Sequence, residues 1–139
     1  MVFGPMCAAV AAGRQSLAEQ EYPDALDDHY ARLGRNPQPR WPEDAWVGPN
    51  CSIRRDIFLD CGGFDAERFP RRMEDTELGL RLWKKGIAFR YEPRAVTWHT
   101  WSKSDEQVLR DADLDGASAG ALCREHAEHR KQCSLAAVR

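Results

Sequence analysis

A chain of 139 residues with 20 basic and 22 acidic side chains has room for one modest core and carries a formal net charge of −2. That balance gives no basic field for nucleic acid or an anionic membrane. Hydrophobic residues at 42% and charged residues at 30% are ordinary for a soluble globular protein, and no apolar run approaches the ~20 residues of a membrane helix.

The opening MVFGPMCAAVAAG is apolar but lacks a charged leader region, so it reads as a strand and a loop. Val2-Phe3 ends that strand at Gly4-Pro5. Residues 14–33 carry Leu17, Tyr22, Leu26, Tyr30 and Leu33 at loosely helical spacing, with Pro23 expected to interrupt them. Residues 34–50 hold four prolines and two tryptophans, Trp41 and Trp46, and read as a loop. Cys51-Ser52-Ile53 reads as a brief strand, and residues 54–60 as a short helix with Ile57 and Phe58 inward and Gly62 past its end.

The next helix is predicted over residues 75–85, stopped by Gly86. Leu78, Leu82 and Trp83 form its buried stripe, with Leu80 off it. Glu77 and Arg81 make an i, i+4 pair worth a few tenths of a kcal/mol at most. Ile87-Ala88-Phe89 and Ala95-Val96-Thr97-Trp98 read as strands split by Glu92-Pro93. Residues 104–131 are helical in character, weakened by Gly116 and Gly120. Alternating helices and short strands imply an α/β domain whose sheet is incomplete.

The five cysteines form no C-x-x-C pair, which suits reduced thiols in a cytoplasmic protein. Cys123, His126, His129 and Cys133 fall within about 120° of one helix face. Their donors suit zinc, but Cys123 and Cys133 would stand about 15 Å apart along the axis, so a straight helix cannot close them round an ion. The plain alternative is a polar terminal helix with incidental thiols.

Glu74-Asp75-Thr76-Glu77 places three carboxylates in four residues at a helix start. Unpaired N–H groups and the helix dipole would hold Asp75 ionised, ready to accept a proton. The same residues also make a good helix start, with Asp75 as a simple N-cap. His99 stands between Trp98 and Trp101, where its imidazole suits either a divalent cation or strand-end packing. The tryptophans offer flat faces for sugar rings or plain core area.

Taken in order, GGFDAERFPRRMEDTELGLRLWKKGIAFRYEPRAVTWH and the upstream Gly48-Pro49-Asn50-Cys51-Ser52-Ile53-Arg54-Arg55 resemble the acceptor-side half of family 2 glycosyltransferases and their galactosyltransferase-like relatives. The resemblance covers roughly residues 45 to 101, an acceptor and catalytic segment, with residues 104–131 as an accessory helical region of the same single partial domain. It implies a partial GT-A fold, with an incomplete mixed sheet flanked by helices. It further implies transfer of a sugar from a nucleotide-sugar to a carbohydrate or lipid-linked acceptor hydroxyl, usually with inversion and with Mn²⁺ or Mg²⁺.

By this resemblance Asp75 is the catalytic base, and Glu74 bonds the acceptor or holds the loop. Trp46, Asn50, Ser52, Arg54 and Arg55 belong to the substrate-binding segment, although Asn50 could equally cap a turn. His99 matches a manganese ligand whose Asp-x-Asp partners are absent. Asp111-Ala112-Asp113 and Asp113-Leu114-Asp115 have the letters but lie in the C-terminal helical region. The donor-binding half would then come from a separate N-terminal polypeptide, with the protein cytoplasmic or peripheral to a membrane. A non-catalytic acceptor- or protein-binding remnant and a small zinc- or partner-binding helical protein remain as alternatives.

Overall fold

The computed structural model describes residues 1–10, 17–35, 48, 50–101 and 103–127. The described elements run β1 (Val2–Phe3), β2 (Met6–Val10), α1 (Leu17–Arg35), β3 (Cys51–Ser52), α2 (Arg55–Asp60), α3 (Glu74–Lys84), β4 (Arg90–Tyr91), β5 (Thr97–Trp101) and α4 (Asp105–Glu125). The protein is thus mixed α/β, with two small sheets and four helices among the described residues. That arrangement is compatible with a partial glycosyltransferase fold.

The first sheet has the order β3-β1-β4, with β3 antiparallel to β1 and β4 parallel to it. The second pairs β2 with β5 in parallel, placing Cys7 beside Trp98 and Ala8 beside His99. Two tracts therefore run side by side, each interrupted once: β1 to β2 at Gly4-Pro5, and β4 to β5 between Tyr91 and Thr97. Chain continuity was hidden from the sequence because its partners are remote. Strand structure resumes at Met6 where a loop was expected, and the two later strands start at Arg90 and Thr97 instead of Ile87 and Ala95.

At the interruption the tracts approach so closely that a Cβ on Gly4 would lie 2.1 Å from the carbonyl oxygen of Ala95. Only glycine fits there. Replacing Gly4 by alanine must push the tracts apart, and the expected loss is about 2–3 kcal/mol in denaturant unfolding.

Pro23 does not end α1, which runs from Leu17 to Arg35. Proline removes one hydrogen bond, but Leu26, Tyr30 and Leu33 downstream are all buried along one face and hold the helix in place. Tyr30 stacks on Tyr91, whose ring in turn meets Phe3, so α1 is joined to β4 and β1 through aromatic contact.

Helix α3 departs from the expected single stripe. Leu78 and Leu82 are buried as predicted, but Leu80 is buried too and Trp83 is exposed. With neighbours on more than one side, the helix buries Leu78, Gly79, Leu80 and Leu82 together. Each leucine contributes roughly 1.5–3 kcal/mol of apolar burial. Helix α4 begins at Ser104 with a reciprocal capping box: its hydroxyl accepts from the Gln107 N–H, and its own N–H donates to Gln107 Oε1 at 2.8 Å. The described helix ends at Glu125, short of the expected residue 131.

Candidate functional site

The start of α3 carries the candidate chemistry. Its N-cap is Met73 and not Asp75, and Met73 sits in the left-handed region at φ 67°, ψ 7°. A non-glycine residue held there stores about 1–3 kcal/mol. Two anchors hold the turn: Met73 packs on the core, and Arg72 is clamped to Asp115 of α4 with Nη2–Oδ2 at 2.6 Å. The strain lies immediately before the Glu74-Asp75 pair, so the acidic residues are set at a fixed angle off the turn.

Asp75 accepts the N–H of Thr76 at 2.7 Å, and the Thr76 hydroxyl points at the same oxygen at 3.4 Å. The helix terminus, expected to hold this carboxyl ionised, is opposed by desolvation. Burial pushes its pKa up from 3.8 to about 6, and the Glu74 charge adds to the rise, outweighing the Thr76 bonds. A carboxylate poised near 6 is a stronger base than one at 3.8, and it is still ionised at neutral pH.

Three further groups bear on the electrostatics at the start of α3. Glu74 is half-buried beside Asp75. Arg72 is pushed to still stronger basicity by the Asp115 hydrogen bond first, with the Asp111 and Glu74 charges adding. Cys51 on β3 has its thiol pKa pushed up, mainly by desolvation and further by the Asp75 charge, which places residue 51 within the field of that carboxylate.

Asn50 precedes Cys51. Its amide donates to the carbonyl oxygens of Pro5 at 3.0 Å and Ala95 at 2.6 Å. Those donors are therefore engaged with backbone at the interruption between the sheets, not directed at a ligand hydroxyl. Ser52 is exposed on edge strand β3. Arg54 pairs with Asp56 on the surface, while Arg55 is exposed at the first turn of α2. Trp46 and Trp41 lie outside the described residues.

His99 sits on β5, in the two-stranded sheet, half-buried and in register with Ala8. Trp98 faces the opposite side and is 71% exposed, which makes it the most exposed large hydrophobic residue described. Among the described residues no three His, Cys, Asp or Glu side chains gather as a metal-binding group. One imidazole by itself does not fit Mn²⁺ or Mg²⁺, which take mostly oxygen ligands in larger sets. Asp111 and Asp115 project from the middle of α4 and are engaged by Lys103 and Arg72.

The zinc alternative also loses its geometry. His126 is buried against α3, where the Lys84 ammonium meets its Nδ1 at 2.8 Å. An ammonium has only donors, so the ring proton lies on Nε2, which faces Glu77 Oε1 at 3.4 Å. Cys123 packs on the core, and His129 and Cys133 lie outside the described residues.

Sequence reasoning missed the role of Arg81. Glu77 is 5% exposed, and Arg81 Nε and Nη2 reach its two oxygens at 2.7 and 2.6 Å. The same guanidinium donates to the carbonyls of Cys61 and Gly63. The pair was expected to be a weak surface contact; it is a buried clamp that fastens the Gly62-Gly63 turn to α3.

Comparison with known proteins gives partial matches. Over 67 residues, 45% of this chain, it is 37% identical to the probable glycosyltransferase YdaM of Bacillus subtilis (strain 168). Over 55 residues, 39% of this chain, it is 44% identical to an N-acetylglucosaminyl-diphospho-decaprenol L-rhamnosyltransferase of Mycobacterium tuberculosis. These matches span 15% and 18% of the relatives' own lengths. No family model and no solved structure matches the chain. Within those spans, the chain is related to glycosyltransferases.

Proposed function

We propose that this chain supplies the acceptor-side part of a glycosyltransferase, with Asp75 as the base. The observation that carries the reading is a carboxyl tuned to about 6 at the rigid start of α3, beside a second carboxylate, in a chain related to sugar transferases. The proton of the acceptor hydroxyl passes to the Asp75 carboxylate as its oxygen bonds to the anomeric carbon. The bond from that carbon to the nucleotide diphosphate breaks, and its electron pair leaves on the phosphate oxygen. Glu74 hydrogen-bonds the acceptor, and Ser52 and Arg55 line its approach. A lipid-linked sugar diphosphate, the kind of acceptor in the mycobacterial relative's name, suits the exposed Arg55. The nucleotide-sugar is the donor, and the family 2 and GT-A assignments rest on the order of motifs in residues 45–101.

The test is calorimetric titration with nucleotide-sugars and with a polyprenyl-diphospho-N-acetylglucosamine analogue, using the chain alone and mixed with the polypeptide encoded upstream. Acceptor binding by the chain, with sugar transfer in the mixture, is the expected result. Acceptor binding without transfer under any condition would favour the non-catalytic remnant. Binding of neither ligand would remove the assignment.

A further inference from the structure

We infer that His126 is a pH-sensitive latch: as a neutral ring it seats the end of α4 on α3, and its protonation in mild acid releases that last turn. The inference is independent of the assignment of Asp75 as base.

His126 is the C-cap of α4, and its N–H donates to Leu122 O at 2.9 Å. Its ring is buried against α3 among unequal charges. From α3 the groups that face it are Glu77, Arg81 and Lys84. The Glu77 carboxylate stands 3.4 Å from Nε2, but Arg81 already grips its two oxygens at 2.7 and 2.6 Å and offsets its charge. The Lys84 ammonium stands closer, 2.8 Å from Nδ1. On α4 itself Arg124 and Glu125 are exposed, and Glu125 lies 3.6 Å from Arg68 of the segment before α3. On α1, Asp24, Asp27, Asp28, Arg32 and Arg35 are exposed, and the half-buried His29 ring lies edge-on to Tyr30. The neutral imidazole thus shares its site with two cations and one carboxylate.

A second ring proton must go on Nδ1, the atom that accepts from Lys84. Two donors would then face each other at 2.8 Å, and the cluster would hold three cations against one carboxylate. The ring escapes that repulsion by leaving the site, so protonation and release are one event. A released imidazole takes its proton near the ordinary midpoint of about 6.5, and the seated ring therefore titrates lower. Between the two midpoints the released state binds more protons than the seated one. The hold on α4 is complete above about pH 7 and is lost as pH falls below about 6.5.

Ring NMR against pH tests this in the full chain, with His126→Gln identifying the resonance. The native His126 midpoint should lie below about 5.5, and Lys84→Met should raise it by about one unit or more. Lys84 is an exposed residue, so the substitution leaves the core intact. Hydrogen exchange reads the release itself. Corrected for the intrinsic effect of pH, protection of the His126 amide should fall about tenfold or more from pH 7 to pH 5, while that of Val108 at the capped end of α4 holds. A native midpoint at or above about 6.5 would show that Glu77 outweighs Lys84 and would overturn the inference. So would a midpoint unmoved by Lys84→Met, or His126 protection that is unchanged across the titration.

Discussion

Arg81→Ala is expected to destabilise the fold by about 3 kcal/mol, lowering the thermal midpoint by about 10 °C. The substitution leaves the Glu77 carboxylate, whose side chain is 6% exposed, without its counter-charge. It also strips donors from the carbonyls of Cys61 and Gly63. Breaking a buried pair costs about 3–5 kcal/mol, and the value is placed at the low end because a quarter of the Arg81 side chain meets water. His126 remains beside Glu77 and moderates the loss. Removing both charges together in Glu77→Gln, Arg81→Met should recover a large part of it. A loss below about 0.5 kcal/mol for Arg81→Ala would mean that the pair is no more than the helix-surface contact its spacing suggests.

The turn held by Arg81 is built for that grip. The N–H of Gly63 donates to Phe58 O at 3.0 Å and closes the end of α2, with Gly63 at φ +66°. A Cβ there would stand 3.3 Å from the Phe58 ring, so glycine serves both the backbone angle and the packing. Through this turn, α2 is fastened to the last turn of α3, six residues beyond the candidate base.

Asp75→Asn should make the protein more stable and abolish its proposed chemistry. A native pKa of about 6 against 3.8 means that the folded state binds the Asp75 proton more tightly than the unfolded chain does. The stability this provides is complete below about pH 3.8 and is lost as pH rises through about 6. At pH 7 the buried charge therefore costs the fold about 3 kcal/mol, or about 2 kcal/mol once its residual contact with water is allowed for. Asparagine keeps an oxygen for the Thr76 N–H and carries no charge. The variant's advantage in urea unfolding should be about 2 kcal/mol at pH 7 and should vanish near pH 4. Transfer should fall by about 10²–10⁴-fold, the usual contribution of a general base. Stability gained at a site where activity is lost is the signature of a residue retained for chemistry. A variant less stable than the native chain at pH 7 would remove the case for a strained, buried carboxylate.

Local signals in the sequence were enough to locate α3 and its C-terminal end. Leu78 and Leu82 at i, i+4 and Gly86 past the last turn locate α3, and the Glu74-Asp75 pair marks its start. What decides the rest is remote in sequence. Leu80 is buried and Trp83 exposed because neighbouring elements surround α3 differently from a one-sided helix. Gly4 and Asn50 look like turn residues until Ala95, far along the chain, is brought against both. The raised pKa of Asp75 was not legible because dipole and capping are local, whereas desolvation comes from packing. His99 and Asp75 were joined only by likeness to a family; the fold puts His99 on the two-stranded sheet and Asp75 beside Glu74 at the start of α3.

The most direct test of the account is the rate of sugar transfer against pH, for the native chain and Asp75→Asn side by side, each supplied with the upstream polypeptide. The native rate should be level above pH 7 and fall about tenfold per pH unit below about 6, while the variant stays about 10²–10⁴-fold lower with that limb gone. Normal turnover by Asp75→Asn, with the same acid limb, would contradict the assignment of Asp75 as the base.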